Sequence, residues 1–197
     1  METPVIESAR LRLDAVTPAD ADAVFEYCQD EELQRWIPVP QPYTRESAEF
    51  YAGDYAGGAA LSDTLTLWAI RLRAAGSDPA ETGNAPLLGV IELRFEPLAS
   101  ATVGFWLGPV WRGRGYMTEA LRAITDHALD ERGLALDRIA WNALVGNTAS
   151  AIVAQRAGFR YEGIARRGLV HRDARVDGWT ASILKDDPRE PAAGWPL

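Results

Sequence analysis

The chain has 197 residues, and its 28 acidic against 20 basic side chains give a formal net charge of −8. That length suits one domain with a sizeable core, and 47% apolar with 24% charged residues is the balance of a soluble globular protein. The acidity argues against a nucleic-acid partner, which would need a basic face. No apolar run nears the roughly 18 residues of a membrane span, and the stretch from Met1 to Leu13 lacks a secretory apolar segment. A cytoplasmic protein with no membrane partner is expected. The one cysteine, Cys28, excludes an internal disulfide and a multi-thiolate zinc site. It falls where a helix is expected and reads as a buried small hydrophobe rather than a nucleophile. With only His127 and His171, no metal centre is expected.

Leu11 and Leu13 alternate with polar residues as a first strand. Thr17-Pro18-Ala19-Asp20 then opens a helix, with Thr17 as cap and Pro18 in the first turn. Thr44 caps another, running through Phe50 and Tyr51. Leu65 to Leu72, Leu87 to Phe95 and Ala101 to Leu107 read as three successive strands. The stretch from Ala74 to Pro86, rich in Gly, Pro, Ser and Asn, reads as loose. Met117, Ala120, Leu121, Ile124 and Ala128 recur at helical spacing. Ile139, Trp141, Ala143 and Val145 alternate as a strand. A helix over Asn147 to Ala157 ends at Gly158, and two strands follow, near Phe159 to Arg166 and Val176 to Leu184. The reading is a mixed α/β sheet in one domain over residues 1–185, with a mobile tail at 186–197.

The densest local signal is Trp111-Arg112-Gly113-Arg114-Gly115-Tyr116-Met117-Thr118-Glu119-Ala120, which follows a strand and opens an amphipathic helix. Two glycines one residue apart let the backbone turn sharply and approach a ligand. The first N–H groups of the helix have no intrahelical partner, and with the helix dipole they form an anion site. Arg112 and Arg114 add charge toward the same ligand. A plain strand-to-helix turn explains a lone Gly-x-Gly equally well. A dinucleotide fingerprint fits poorly, because Thr118 stands at the third glycine position. A nucleotide-triphosphatase loop is excluded by the missing Gly-Lys-Ser/Thr.

Gly104-Phe105-Trp106-Leu107, then Trp111 to Tyr116 and Thr118-Glu119-Ala120-Leu121, resemble the acetyl-CoA-binding motif of the GNAT superfamily. Asn147-Thr148-Ala149-Ser150, with Arg156-Ala157-Gly158-Phe159 and Glu162-Gly163, is similar to the next motif. The opening Ser8-Ala9-Arg10-Leu11-Arg12-Leu13 and Trp36 add to the likeness, which covers about Arg10 to Lys185. The combination resembles the RimJ/RimL branch, named for N-terminal acetyltransferases of ribosomal proteins. The resemblance implies a mixed, mostly antiparallel sheet of about seven strands flanked by helices, splayed between the fourth and fifth strands. Acetyl-CoA is the implied acyl donor. Its pantetheine arm would pair with strand backbone in the gap, lined by Phe105, Trp106 and Leu107. The loop Arg112, Gly113, Arg114, Gly115, Tyr116, with Met117 and Thr118, would hold the pyrophosphate, and Asn147 would touch the cofactor. Two positions depart from the superfamily's pattern: Val110 stands where Gln or Arg is common, and Ala154 where a tyrosine often serves as acid to the leaving thiolate.

The expected reaction is transfer of an acetyl group to a primary amine, on a protein N-terminus or a small molecule. Glu92, which interrupts the apolar run Val90-Ile91-Glu92-Leu93 near the expected splay, is the candidate base; a solvated carboxylate on the sheet face is the competing reading. Ser150, matched to the serine after the motif asparagine in the RimL-like branch, is the candidate acid, against a first-turn hydroxyl satisfying local backbone. Backbone N–H groups near Trp106 or Leu107 would meet the carbonyl oxygen. Asp177 reads as structural. Antibiotic modification, a succinyl donor met by Arg166, Arg167, Arg172 and Arg175, and a non-enzymatic CoA-binding module remain alternatives. Trp36, Tyr43, Phe50, Tyr51 and Tyr55 could form an acceptor pocket or serve as core. The family often pairs, which leaves a homodimer open.

Overall fold

Alternation and capping place the first elements where the sequence puts them. In the computed structural model, which describes residues 3–73 and 85–197, a two-residue strand β1 (Ile6–Glu7) pairs with β2 (Leu11–Asp14). Leu11 and Leu13 point inward and are fully buried. The Asp20 carboxylate accepts from the Thr17 N–H at 2.9 Å and closes a 3-10 turn that leads into α1 (Ala21–Tyr27). Asp30 caps α2 (Glu31–Trp36), and Thr44 caps α3 (Arg45–Phe50). A π-helical turn, Tyr51–Tyr55, continues α3 into α4 (Ala56–Ala60). Of the stretch expected to be loose between Ala74 and Pro86, residues 74–84 lie outside the described residues.

Strands β3 (Leu65–Leu72), β4 (Leu87–Glu96) and β5 (Ser100–Leu107) run antiparallel in succession. Next come α5 (Tyr116–Leu129), β6 (Arg138–Leu144), α6 (Thr148–Arg156), β7 (Arg160–His171) and β8 (Ala174–Leu184). Together they form one eight-stranded sheet in the order β1-β2-β3-β4-β5-β6-β8-β7. The short β1 adds one strand to the expected seven, so the expected fourth and fifth strands are β5 and β6. Among the described residues these two are the one parallel neighbouring pair.

Each sheet face carries its own core. Met117, Leu121 and Ile124 of α5 pack with Ile91, Leu93, Val103, Ile139 and Trp141 on one side. Val24, Ala48 and Ala52 pack with Leu67, Ala69 and Val90 on the other. Each fully buried aliphatic chain contributes about 1.5–3 kcal/mol from area removed from water. Cys28 lies in this second core, its thiol pushed up to about 11 by burial, so it stays a neutral hydrophobe at physiological pH. A charged cluster ties the edge of the sheet to α1. Arg71, buried, donates to both Asp20 oxygens at 2.8 Å, to Asp14 at 2.8 Å and to the Ala85 carbonyl at 3.0 Å.

The C-terminal segment packs against the rest of the domain through Trp195. Trp195 is 9% exposed and packs on Trp141 and Tyr161. Its indole N–H donates to the Phe159 carbonyl at 3.2 Å, and Arg189 reaches Asp126 at 3.1 Å. The prolines that suggested looseness remove backbone donors, but one large aromatic buries enough surface to dock irregular chain.

Candidate active site

The parallel ladder between β5 and β6 is short. It runs from Ser100 opposite Arg138 to Val103 opposite Trp141 and stops. Beyond it β5 stays paired with β4 through Leu107, while β6 stays paired with β8 through Leu144. The strands therefore part at Gly104 and leave an open-ended slot. Gly108 N–H donates to Leu88 O across to β4. Antiparallel alternation then turns the Phe105 and Leu107 backbone groups away from β4 and into the slot. Trp106, read together with Leu107 as a source of the carbonyl-binding N–H, has its backbone turned to β4 and its side chain against the α1–α4 face.

The loop that follows closes one end of the slot. Gly113 and Gly115 have φ of +75° and +78°, the left-handed region that disfavours a side chain, and Gly115 is the N-cap of α5. The first-turn amides of α5 thus emerge at the slot with no intrahelical acceptor. Met117 points into the core, leaving only its backbone for a ligand, while Tyr116 is half-buried beneath the Arg10 guanidinium, 4.8 Å from its ring centroid. The two loop arginines are differently employed. Arg112 donates to Asp30 at 2.6 Å and to Leu107 O at 3.2 Å, so its charge is partly spent joining the loop to α2. Arg114 lies over the Trp111 ring at 5.6 Å. Trp111 donates to the Tyr27 hydroxyl at 2.9 Å, which donates to Leu87 O at 3.1 Å, and this ties the loop to α1. A broad hollow of about 1190 Å³ over the outer face of α5 shares Gly115 and Thr118 with the loop but none of Phe105, Trp106, Leu107, Asn147 or Ser150.

Glu119 explains why the motif at the start of the chain and the motif on α5 belong together. Its carboxylate accepts from Ser8 Oγ at 2.7 Å, from the Arg10 N–H at 2.7 Å and from Arg10 Nε at 2.6 Å. Burial pushes its carboxyl up, but these three donors outweigh it and hold the group below the usual range. A depressed folded value means that its stabilisation is present at neutral pH, above the unfolded value of about 4.3, and is lost as pH falls through the folded one. The Tm gap between the protein and a Glu119→Gln variant should therefore narrow as thermal melts are taken from pH 7 to below about 4. An unchanged gap would show that the carboxylate charge contributes nothing.

Glu92 and Ser150 meet the slot from opposite sheet faces. Glu92 stands across from Gly104, the first β5 residue past the ladder, and its Oε1 lies 3.2 Å from where a Cβ on Gly104 would be. It pairs with Arg94 at 2.9 Å, and Arg94 donates to the Tyr55 hydroxyl at 2.9 Å. Tyr55 stacks on Tyr51, whose buried phenol is pushed well up by desolvation, partly opposed by the Trp106 indole. Ser150 Oγ accepts from the Trp141 indole N–H at 3.1 Å. Because Trp141 is the last β6 residue in the ladder, that bond holds the hydroxyl where the strands part. A hydroxyl that accepts keeps its proton to donate. Asn147 caps α6 by accepting from Ser150 N–H at 3.2 Å, which leaves its amide NH₂ to donate.

Of the expected acceptor aromatics, Tyr43 is core and Phe50 is exposed, so only Tyr51 and Tyr55 stand beside Glu92. Trp36 approaches the β6–α6 connection at Gly146. Asp177 accepts from the Arg167 N–H at 2.7 Å and steadies an irregularity in β7, a structural role. Arg172 and Arg175 donate to the Gln34 and Arg167 carbonyls. His171, at the end of β7, faces Glu31, Gln34 and Arg35 across a cleft of about 410 Å³, and burial with the adjacent Arg172 lowers its pKa. Arg94 and Trp141 were not singled out as site residues. Only Glu92-x-Arg94 left a trace in the sequence, as two charges on the same strand face.

The sequence profile of the acetyltransferase (GNAT) domain matches residues 10–160. The chain belongs to the GNAT acetyltransferase family. Its relatives include Bacillus subtilis YjcK, named a probable N-acetyltransferase, 33% identical over 58% of this chain and 60% of that protein. Another is B. subtilis YdaF, named a putative ribosomal N-acetyltransferase, 39% identical over 43% of this chain and 45% of that protein. The matched region thus spans about half the length of these two relatives. Among solved structures, Mycobacterium smegmatis RimJ in complex with a CoA disulfide superposes with a TM-score of 0.76 at 22% identity, covering 93% of this chain and 90% of that one. The name of YdaF agrees with the RimJ/RimL-like branch, and the superposition on RimJ, at that identity, is a likeness of fold. Among the described residues no helix is long and apolar enough to cross a membrane.

Proposed function

We propose that the chain transfers an acetyl group from acetyl-CoA to a primary amine, with a protein N-terminus as the acceptor. The observation that carries this reading is the β5–β6 ladder, which ends at Val103 beside a glycine loop and a helix N-terminus. The residues present fit the donor. The Phe105 backbone and the Leu107 N–H face the slot and are offered to an amide-bearing arm, as an added strand would need, while the Leu107 carbonyl already accepts from Arg112. Gly113, Gly115 and the amides from Tyr116 to Thr118 offer an anion site, with Arg114 at its margin, and Asn147 at the start of α6 keeps its amide NH₂ to donate. The bound donor supplies an activated thioester. Leu107 N–H is the donor available to polarise its carbonyl oxygen.

The acceptor side needs a neutral amine. An α-amino group lies about one unit above neutral pH and costs roughly 1.4 kcal/mol to deprotonate, against about 4–5 kcal/mol for a lysine. The first acceptor makes the smaller demand on a base, and Glu92, across from Gly104, is the carboxylate offered for that role. Glu92 would attract the ammonium form and take its proton, directly or through water. Ser150 would give its proton to the departing sulfur. A ribosomal-protein acceptor is supported by the name of YdaF, and an N-terminal amine by its lower cost of deprotonation.

Thiol release from acetyl-CoA should appear with peptides bearing a free N-terminus and vanish when only a lysine amine is left unblocked. No release with either class would overturn the reading. Glu92→Gln should lower kcat/KM at pH 7 by about a hundredfold, the low end for general-base effects. An unaltered kcat/KM would remove Glu92 from the chemistry.

A further inference from the structure

Behind Ser150 stands a stack that none of the motifs accounts for. Trp141 is fully buried, and its N–H is directed at Ser150 Oγ at 3.1 Å. Against its ring, at 5.4 Å between centroids and tilted by 60°, lies Trp195. Trp195 is held from three sides. Its N–H donates to Phe159 O, its ring meets Tyr161 at 5.5 Å, and its segment is tied by Gln155 Nε2 donating to Ala192 O at 3.1 Å. An indole in a core made only for packing would be served as well by phenylalanine. Here its one polar atom is aimed at a hydroxyl where β5 and β6 part. Accepting that bond orients the serine oxygen, and polarises its O–H toward donation.

We propose that Trp141 is a positioning residue for Ser150 and that Trp195, from the C-terminal segment, locks the Trp141 ring in the orientation that makes the bond. The inference rests on the reading of Ser150 as proton donor to the leaving sulfur. It makes residues 186–197 part of the support of the active site, acting through two stacked rings rather than by touching substrate.

Trp141→Phe keeps the ring and removes the donor. It should lower kcat by about tenfold, below the usual span of general-acid effects because a thiolate leaves readily, with KM for acetyl-CoA within about twofold. Ser150→Ala should fall by the same factor, and the double variant should fall no further, since both changes remove one interaction. Because Trp141 is deeply buried, Trp195→Ala gives an independent reading without altering a strand. It should lower kcat several-fold, shift and broaden the Trp141 indole N–H resonance in a ¹⁵N spectrum, and be restored by Trp195→Phe. If Ser150→Ala turns over at the full rate, the acid assignment and this inference fall together. If Ser150→Ala is slow while Trp141→Phe keeps its rate, or Trp195→Ala leaves both kcat and the indole resonance unchanged, the acid assignment stands and this inference alone is overturned.

Discussion

Arg71→Ala is expected to cost about 3–5 kcal/mol of stability, the range for removing one partner of a buried ion pair. Arg71 is 4% exposed and satisfies Asp20 twice, Asp14 once and a backbone carbonyl. Without it Asp20, 5% exposed, keeps its hydrogen bonds to Thr17 but loses its counter-charge. Two carboxylates would then face one another in a poorly solvated site, and protonating or flooding either would open the join between β2, β3 and α1. Urea unfolding should show a midpoint displaced by that amount with an unchanged slope. A loss under about 1 kcal/mol would mean that water already reaches the cluster and screens it as at a surface.

Gly113→Val and Gly115→Val should each weaken acetyl-CoA binding by roughly 5- to 30-fold, corresponding to about 1–2 kcal/mol for a branched side chain in the left-handed region. The Gly113 variant is the cleaner test. A Cβ there meets nothing within 4 Å, so only the backbone conformation pays. At Gly115 the new Cβ would also lie 3.5 Å from an Arg10 nitrogen. Titration calorimetry with CoA measures the effect directly. If both variants bind within twofold of the parent protein, the loop does not hold the diphosphate, and the proposed donor site is wrong.

Much of the architecture was legible because it is local. The period-two runs of β2 to β6, the helical recurrence from Met117 to Ala128, and Thr44 and Gly158 at helix ends are each decided within a few residues. The glycine loop was legible for the same reason, since positive φ is a property of single residues. The contacts of the tail were not legible, because Pro and Gly report backbone preference, whereas Trp195 is placed by surfaces from β6 and β7. Arg112 was read as a phosphate ligand from its position alone. Its ion pair with Asp30 joins residues 82 positions apart, and no local pattern announces such a partner.

From its residues in order, this chain determined a mixed α/β domain with a glycine turn before an amphipathic helix, and hence where an anion could sit. What only the tertiary structure decided is how polar groups far apart in sequence are shared out. It set Glu92 against Arg94 and Tyr55, Ser150 beneath Trp141, Glu119 under Ser8 and Arg10, and the tail over the core. The physical reason is range. Backbone conformation is settled by neighbours along the chain, but desolvation and hydrogen bonding of a buried side chain depend on whatever packing brings within a few ångströms.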